Sequence, residues 1–332
     1  MGTKPLVFGI YAGGQAGGDT GLLAGPTEDP GQIERALSQL QGSSSPFIVR
    51  AYEHYDENTG TNKPACQAPY NFSQYLHGGR RLDLVLLFQS KRGDVAGFCE
   101  FVRGMVRRHA EHLYSIQITE EANFTDGPDC IDGPYPNVLD ALVQGVITAK
   151  REAMNVNPAI KVGFNSTPTF GPSAEFWAKL AAIGGEDFRN SVDYVGLDFF
   201  PDVFRPVPAD GEAGDLRSSV IGVLELLRSQ WLPAAGIPDS VRIHIAEHGW
   251  PTGPTRSEQR QADVIETTIR AVWDLRERLK IERYTIFGLR DVDSQPESAD
   301  DIFKHFGIMH ADYTSKPAFE RYRRLVAEFG VR

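Results

Sequence analysis

Short apolar runs recur along the chain, separated by amphipathic stretches. Eight of them read as strands: Leu6–Gly13, Phe47–Tyr55, Leu82–Ser90, Tyr114–Glu121, Ile160–Pro168, Val192–Pro201, Val241–Gly249 and Tyr284–Asp291. They are rich in Val, Ile, Phe and Tyr, and Gly, Pro, Asn or Asp bound them. Such runs suit strands buried on both faces of a parallel sheet. Helical spacing fills the intervals. Pro30–Leu40 places Ile33, Leu37 and Leu40 on one face. Phe98–His112, Tyr135–Asn155, Glu175–Ile183, Leu216–Leu232, Ser257–Arg278 and Pro317–Phe329 follow later strands. Ser257 stands three residues before Arg260 as an N-cap, and Pro317 suits a first helical turn.

Strand and helix alternating through eight units predict an α/β fold, a closed (β/α)8 TIM barrel, with residues 1–332 as a single catalytic domain. An open doubly wound sheet is the competitor. Gly13-Gly14 and Gly17-Gly18 follow the first strand, but no acidic residue ends the second strand where a ribose would need one. The stretch Ala12–Gly25 reads instead as a long first loop at the barrel mouth. In such barrels chemistry collects at the C-terminal ends of the strands, which shortens the candidate list.

Two glutamates stand at such ends. The fourth strand runs Gln117-Ile118-Thr119-Glu120-Glu121-Ala122-Asn123, and the seventh runs Ile243-His244-Ile245-Ala246-Glu247-His248-Gly249-Trp250-Pro251. A paired acid and carboxylate can cleave an acetal with retention: one protonates the leaving oxygen, the other attacks the anomeric carbon, about 5–5.5 Å away. Alternation puts Ile243, Ile245 and Glu247 on one face, so the strand would fill the barrel with isoleucine and present Glu247 at the mouth. The same rule sends Glu120 and Glu121 to opposite faces unless a bulge turns both inward.

These motifs resemble clan A of the retaining glycoside hydrolases, a barrel group that includes cellulases, mannanases, β-xylosidases and β-galactosidases. Its members carry the acid/base at the end of strand four, usually as Asn-Glu-Pro-Asn, and the nucleophile at the end of strand seven, often as Glu-Thr-Gly-Trp-Pro. Glu121-Ala122-Asn123 and Glu247-His248-Gly249-Trp250-Pro251 match, and the likeness extends to Phe287-Gly288-Leu289-Arg290-Asp291 and Lys316-Pro317-Ala318-Phe319. It implies Glu121 as acid/base and Glu247 as nucleophile. Glu120 stands where the clan has an Asn bonded to the sugar 2-hydroxyl, and an ionised Glu there accepts but does not donate. The other register, with Glu120 as acid/base, stays open.

The resemblance also pairs Arg50 of strand two with Glu247 and makes Trp250 a sugar platform. Asp198 and Phe200 end strand six where relatives often carry His and Tyr. The missing tyrosine hydroxyl then falls to Tyr11 or Tyr52. Arg290, Asp291, Asp293, Gln89, Asn123 and Asn165 are candidate sugar contacts. His248 follows the nucleophile, while His54, His77, His305 and His310 are scattered singly and read as non-catalytic.

Composition changes this picture little. Of the residues, 41% are apolar and 23% charged, as in ordinary globular chains. The net charge of −10 and a pI near 5.3 argue against a nucleic-acid partner, since only short pairs such as Arg80-Arg81 are basic. No apolar run reaches the roughly 18 residues of a membrane span. Cys66, Cys99 and Cys130 fit neither a disulfide framework nor a zinc motif, although one bridge between Cys66 and Cys130 stays open. No His-x-His pair ends a strand, so a metal-dependent reaction through Glu121, Asp198, Glu247 and Asp293 is disfavoured. The expectations are a carbohydrate or glycoside substrate, no cofactor, no metal and no membrane or nucleic-acid partner. The chain is expected as a monomer or small homo-oligomer, cytoplasmic or secreted after loss of a signal peptide. Transglycosylation or a biosynthetic rearrangement or cyclisation of an acetal is the competing reaction.

Overall fold

A computed structural model describes residues 4–18, 21–59, 64, 66–127, 130–168, 173–295 and 301–332. Eight parallel strands close into a barrel: β1 (Val7–Tyr11), β2 (Phe47–Tyr55), β3 (Arg80–Phe88), β4 (Leu113–Ile118), β5 (Lys161–Ser166), β6 (Tyr194–Asp198), β7 (Arg242–Glu247) and β8 (Ile281–Phe287). Each pairs with its neighbours in chain order, and β1 closes the ring by pairing with both β8 and β2. The chain is therefore a (β/α)8 TIM barrel.

Helices surround it: α1 (Pro30–Gln41), α2 (Val95–His109), α3 (Val138–Val156), α4 (Ser173–Ser191), α5 (Leu216–Leu226), α6 (Glu258–Leu279) and α7 (Pro317–Phe329). The Ser257 hydroxyl accepts from the Arg260 backbone N–H at 3.1 Å and caps α6, while Pro317 opens α7. Helix α4 runs longer than its apolar spacing suggests and kinks at Gly185, whose φ is 60°. Helix α5 continues through a π-helical turn, Leu227–Trp231, into Leu232–Ala234.

Two connections depart from the repeat. Among the described residues, β2 is followed by a short antiparallel strand (Gln67–Ala68) and a 3-10 turn (Phe72–Tyr75) instead of a helix. The glycine-rich stretch after β1 forms an antiparallel ribbon, Gln15–Gly18 against Gly21–Ala24, where a plain loop was expected.

The strand faces divide sharply. Phe8, Ile10, Val49, Leu84, Leu86, Ile116, Ile118, Phe164, Leu197, Ile243, Ile245 and Ile286 join the helices in one large apolar core. The opposite face lines the barrel and is largely polar: Arg50, Asp83, Ser115, Gln117, Asn165, Tyr194, Asp198, His244, Arg283 and Thr285 are fully buried. Such groups are stable inside only when they satisfy each other. Asp83 is bonded by Arg50 (2.6 Å), Arg283 (2.9 Å) and Ser115 (2.5 Å), and Tyr194 stacks on His244 at 4.0 Å. Gly163 makes room for this layer, because a Cβ there would stand 2.8 Å from the Tyr194 ring. Among the described residues no helix is long and apolar enough to cross a membrane. Cys66 and Cys99 are free thiols, so the bridge between Cys66 and Cys130 left open by the sequence is not formed.

Candidate functional site

Arg50 is the pivot. Beyond Asp83, its guanidinium bonds the Gln117 side-chain oxygen at 3.1 Å, reaches Glu120 Oε2 at 3.4 Å and faces Glu247 Oε1 at 3.4 Å. Its Nε donates to the Tyr52 hydroxyl at 2.7 Å, and that hydroxyl donates to Glu247. Burial opposes the charge on Arg50, but the carboxylates around it hold it firmly cationic. The arginine expected to serve Glu247 therefore also serves Asp83 and Glu120. The hydroxyl that β6 lacks stands on β2, at Tyr52.

Glu247 reaches the mouth by an irregularity, and the strand-phase expectation is corrected here. Ile243 and Ile245 point outward into the helix core, while His244 and Ala246 face the barrel interior. Strict alternation would then send Glu247 outward. The register against β6 shifts instead, pairing Ile245 with Leu197 and Glu247 with Asp198. That bulge turns the carboxylate into the cavity, where it is only 8% exposed.

On β4 a related device operates. Thr119 and Glu121 both adopt left-handed backbone, with φ of 63° and 48°, on either side of Glu120. Such conformations are strained for residues with a side chain, and persist only where surroundings fix them. The fixing bonds are present: Asp132 accepts from the Glu120 N–H at 2.8 Å, and Asn165 accepts from the Glu121 N–H at 2.9 Å. Both glutamates then line the cavity. The Glu120 carboxylate also accepts from Gln117 (2.6 Å) and Asn165 (2.9 Å).

Asp198, at the end of β6, completes a cluster. Carboxylate oxygens of Glu120, Asp198 and Glu247 lie within 4.8 Å of one another. Asn165 donates to Asp198, whose other oxygen is buried without a partner. Burial and the neighbouring Glu120 and Glu247 push the Asp198 carboxyl well above its ordinary range. Burial and Glu120 push Glu247 up to about 7, against the pull of Arg50 and Tyr52. The cluster has the oxygens to hold a cation, and it is the candidate group of that kind among the described residues. Arg50 already stands against two of the three carboxylates and supplies positive charge there.

These groups open into a cavity of about 1670 Å³ at the C-terminal mouth of the barrel. Tyr11, Gln89, Asn123 and Phe200 line it as well. Gln89 holds His54 at 3.1 Å, and Tyr11 stacks on Phe287 at 5.1 Å. The Asn123 amide is occupied: it donates to the Thr167 carbonyl (2.7 Å) and accepts from the Thr167 N–H (3.1 Å), tying together the loops after β4 and β5.

Of the expected site residues, Arg50, Asn165, Asp198 and Asp293 are outside the cavity lining, and so are Trp250, His248, Arg290 and Asp291. Trp250 is 4% exposed, donates to the Asp202 carbonyl at 3.2 Å and lies under Arg256, so it supports a loop and offers no platform. His248 is buried against Tyr284, and burial lowers its pKa to about 3. Arg290 bonds the Pro26 carbonyl (2.5 Å) and lies over Tyr313. Asp291 pairs with buried Lys316 at 2.8 Å and accepts from the Gly307 N–H at 3.0 Å. Sequence reasoning missed Asp83 and Arg283. Asp83 had a signal, a charge between apolar neighbours in Leu82-Asp83-Leu84; Arg283, next to Glu282, had none of that kind.

No family model matches this chain, and no curated protein matches it. Solved structures do. A family 1 β-glucosidase from Thermotoga maritima superposes with a TM-score of 0.63 at 12% identity, covering 100% of this chain and 99% of that one. The same organism's β-glucosidase in complex with a methoxycarbonyl-substituted glucoimidazole gives 0.65 at 12% identity and the same coverage. Its complex with castanospermine gives 0.63 at 12% identity, again with that coverage. At this identity the likeness establishes the barrel fold.

Proposed function

We propose that this protein is a retaining β-glycosidase acting through Glu247 as nucleophile and Glu121 as acid/base. The observation that carries the reading is the environment of Glu247. A strand bulge turns it into the cavity that Glu121 also lines, with Tyr52 and Arg50 against one of its oxygens. Tyr52 and Arg50 favour the ionised form that attacks. In the first step Glu121 gives its proton to the leaving oxygen as the Glu247 oxygen bonds to the anomeric carbon. In the second, Glu121 takes a proton from water, and the oxygen of that water displaces Glu247. The reaction needs neither cofactor nor metal, and its substrate is a carbohydrate or glycoside.

The experiment is incubation with a panel of aryl β-glycosides, and with 2-deoxy-2-fluoro glycosides that trap the intermediate. Release of the aryl alcohol, its loss in Glu247→Ala, and a mass increase on the peptide containing Glu247 are expected. Absence of both turnover and adduct across the panel would sink the proposal. A second reading replaces water by another acceptor, making a transglycosylase or an acetal-rearranging enzyme. The acid Glu120 in the usual Asn position and the apolar cavity favour it. Product analysis with an added alcohol separates the two: glycosyl transfer exceeding hydrolysis supports the second.

A further inference from the structure

One wall of the cavity is built from phenylalanine. Phe287, at the end of β8, stacks with Tyr11 near the carboxylates. From there Phe306, Phe200, Phe303 and Phe204 continue in ring-to-ring contact: Phe287–Phe306 at 6.1 Å, Phe200–Phe306 at 5.5 Å, Phe303–Phe306 at 6.4 Å and Phe204–Phe303 at 6.2 Å. Phe204 ends the series at the rim and is 55% exposed. All five line the cavity.

Phenylalanine carries no hydrogen-bonding group. A second sugar whose hydroxyls faced this wall would lose their water and gain no hydrogen-bond partner from the phenylalanines. A flat apolar group would instead bury its surface, with rings placed for edge-to-face contact. The volume points the same way. At about 1670 Å³ the cavity exceeds the roughly 300–1,000 Å³ of ordinary ligand sites, so it accommodates more than one sugar ring. Glu120, Glu121, Glu247 and Tyr52 lie at the strand ends, and charged side chains such as Asp126, Lys179, Asp202 and Arg205 line other parts of the cavity, so the phenylalanines form one apolar wall of a mixed site.

We infer that the natural substrate is a glycoside whose aglycone is a large, neutral aromatic or fused-ring group, and that the phenylalanine wall is its binding site. This rests on the glycosidase reading for the sugar end of the molecule. The wall selects by apolar area, so affinity grows with aglycone size and falls when hydroxyls replace it.

Non-hydrolysable probes test this free of leaving-group effects. Calorimetric titration would compare methyl 1-thio-β-D-glucopyranoside, 2-naphthyl 1-thio-β-D-glucopyranoside and thiocellobiose. The naphthyl compound should bind at least tenfold more tightly than either of the others. Phe204→Ser, at an exposed position, and Phe303→Ser should each remove most of that advantage while the methyl compound binds as before. Equal affinities across the series, tightest binding of thiocellobiose, or an advantage that survives both substitutions would overturn the inference. If the naphthyl probe binds as expected but no aryl glycoside is turned over, the glycosidase reading fails and the aromatic site stands.

Discussion

Asp83 and Asp198 are both fully buried inside one barrel, yet their carboxyl pKa values are shifted in opposite directions. Asp83 lies between Arg50 and Arg283. Burial works against its charge, but the two arginines outweigh burial and hold its carboxyl below the usual range. Asp198 sits beside Glu120 and Glu247, and burial and those neighbours raise its carboxyl well above the usual range. Burial therefore does not by itself set ionisation. The balance of fixed charges within a few ångströms does, and it changes sign over one strand length. The lower layer is a structural ion network. In the upper layer burial and the crowded carboxylates outweigh Arg50, raising Glu247 to about 7 and Asp198 well above its usual range, and a group near 7 can transfer protons at neutral pH.

Substitutions can break or sharpen this contrast. The largest expected effect is at Glu247. Glu247→Gln should lower kcat more than about 10⁴-fold, while the melting temperature holds or rises because an acid is removed from a crowded site. A melting curve beside an aryl-glycoside assay checks both. Glu121→Gln should cost about 10²–10⁴-fold on glycosides with poor leaving groups and far less on dinitrophenyl glycosides, which leave without a proton. If Glu120→Gln shows that leaving-group dependence and Glu121→Gln does not, the roles of the two neighbours are exchanged.

In the lower layer, Asp83→Asn leaves two buried arginines short of their anion, and about 3–5 kcal/mol of stability should be lost. Because the folded pKa of Asp83 is depressed, its contribution is present above the ordinary aspartate pKa and is lost as the pH falls. The wild-type advantage in denaturant titrations should therefore shrink from pH 7 to pH 3. Asp198→Asn tests the opposite sign. Its raised pKa makes its contribution complete at low pH and lost as the pH rises, so the variant should match wild type near pH 4 and gain relative stability toward pH 9.

The smallest effect concerns pH. Glu247 must be ionised to attack, so kcat/KM should rise with pH through about 7 on the acid side. Removing the neighbouring negative charge in Glu120→Gln should move that limb to lower pH. A limb that stays in place would mean Glu120 does not govern the ionisation of Glu247.

Much of this was legible in the chain. Strand β2 and helix α7 match their expected spans, Phe47–Tyr55 and Pro317–Phe329, because apolar period and flanking Pro or Gly are local signals. The Ser257 cap was likewise local. The ends of the other strands moved by a few residues, since the closing ring of neighbours decides where pairing stops. The missing helix after β2 had no helical spacing to announce it. The Glu247 phase departs from simple alternation for a particular reason: alternation alone makes Ile243 and Ile245 barrel filling, but the apolar face of each strand packs outward on the helices, and the interior is largely polar.

What the sequence determined by itself was the alternation of strand and helix and the placing of glutamates at two strand ends, both consequences of short-range pattern. The tertiary structure alone decided which side chains meet. Tyr52 reaches Glu247 across 195 residues of sequence, Asp83 joins Arg50 to Arg283, and Trp250 and Asp291 turn away to brace loops. A bulge at Glu247 and left-handed backbone at Thr119 and Glu121 aim the carboxylates. Those conformations are unfavourable locally and exist because packing and hydrogen bonds from distant strands hold them. No residue's neighbours in sequence carry that information.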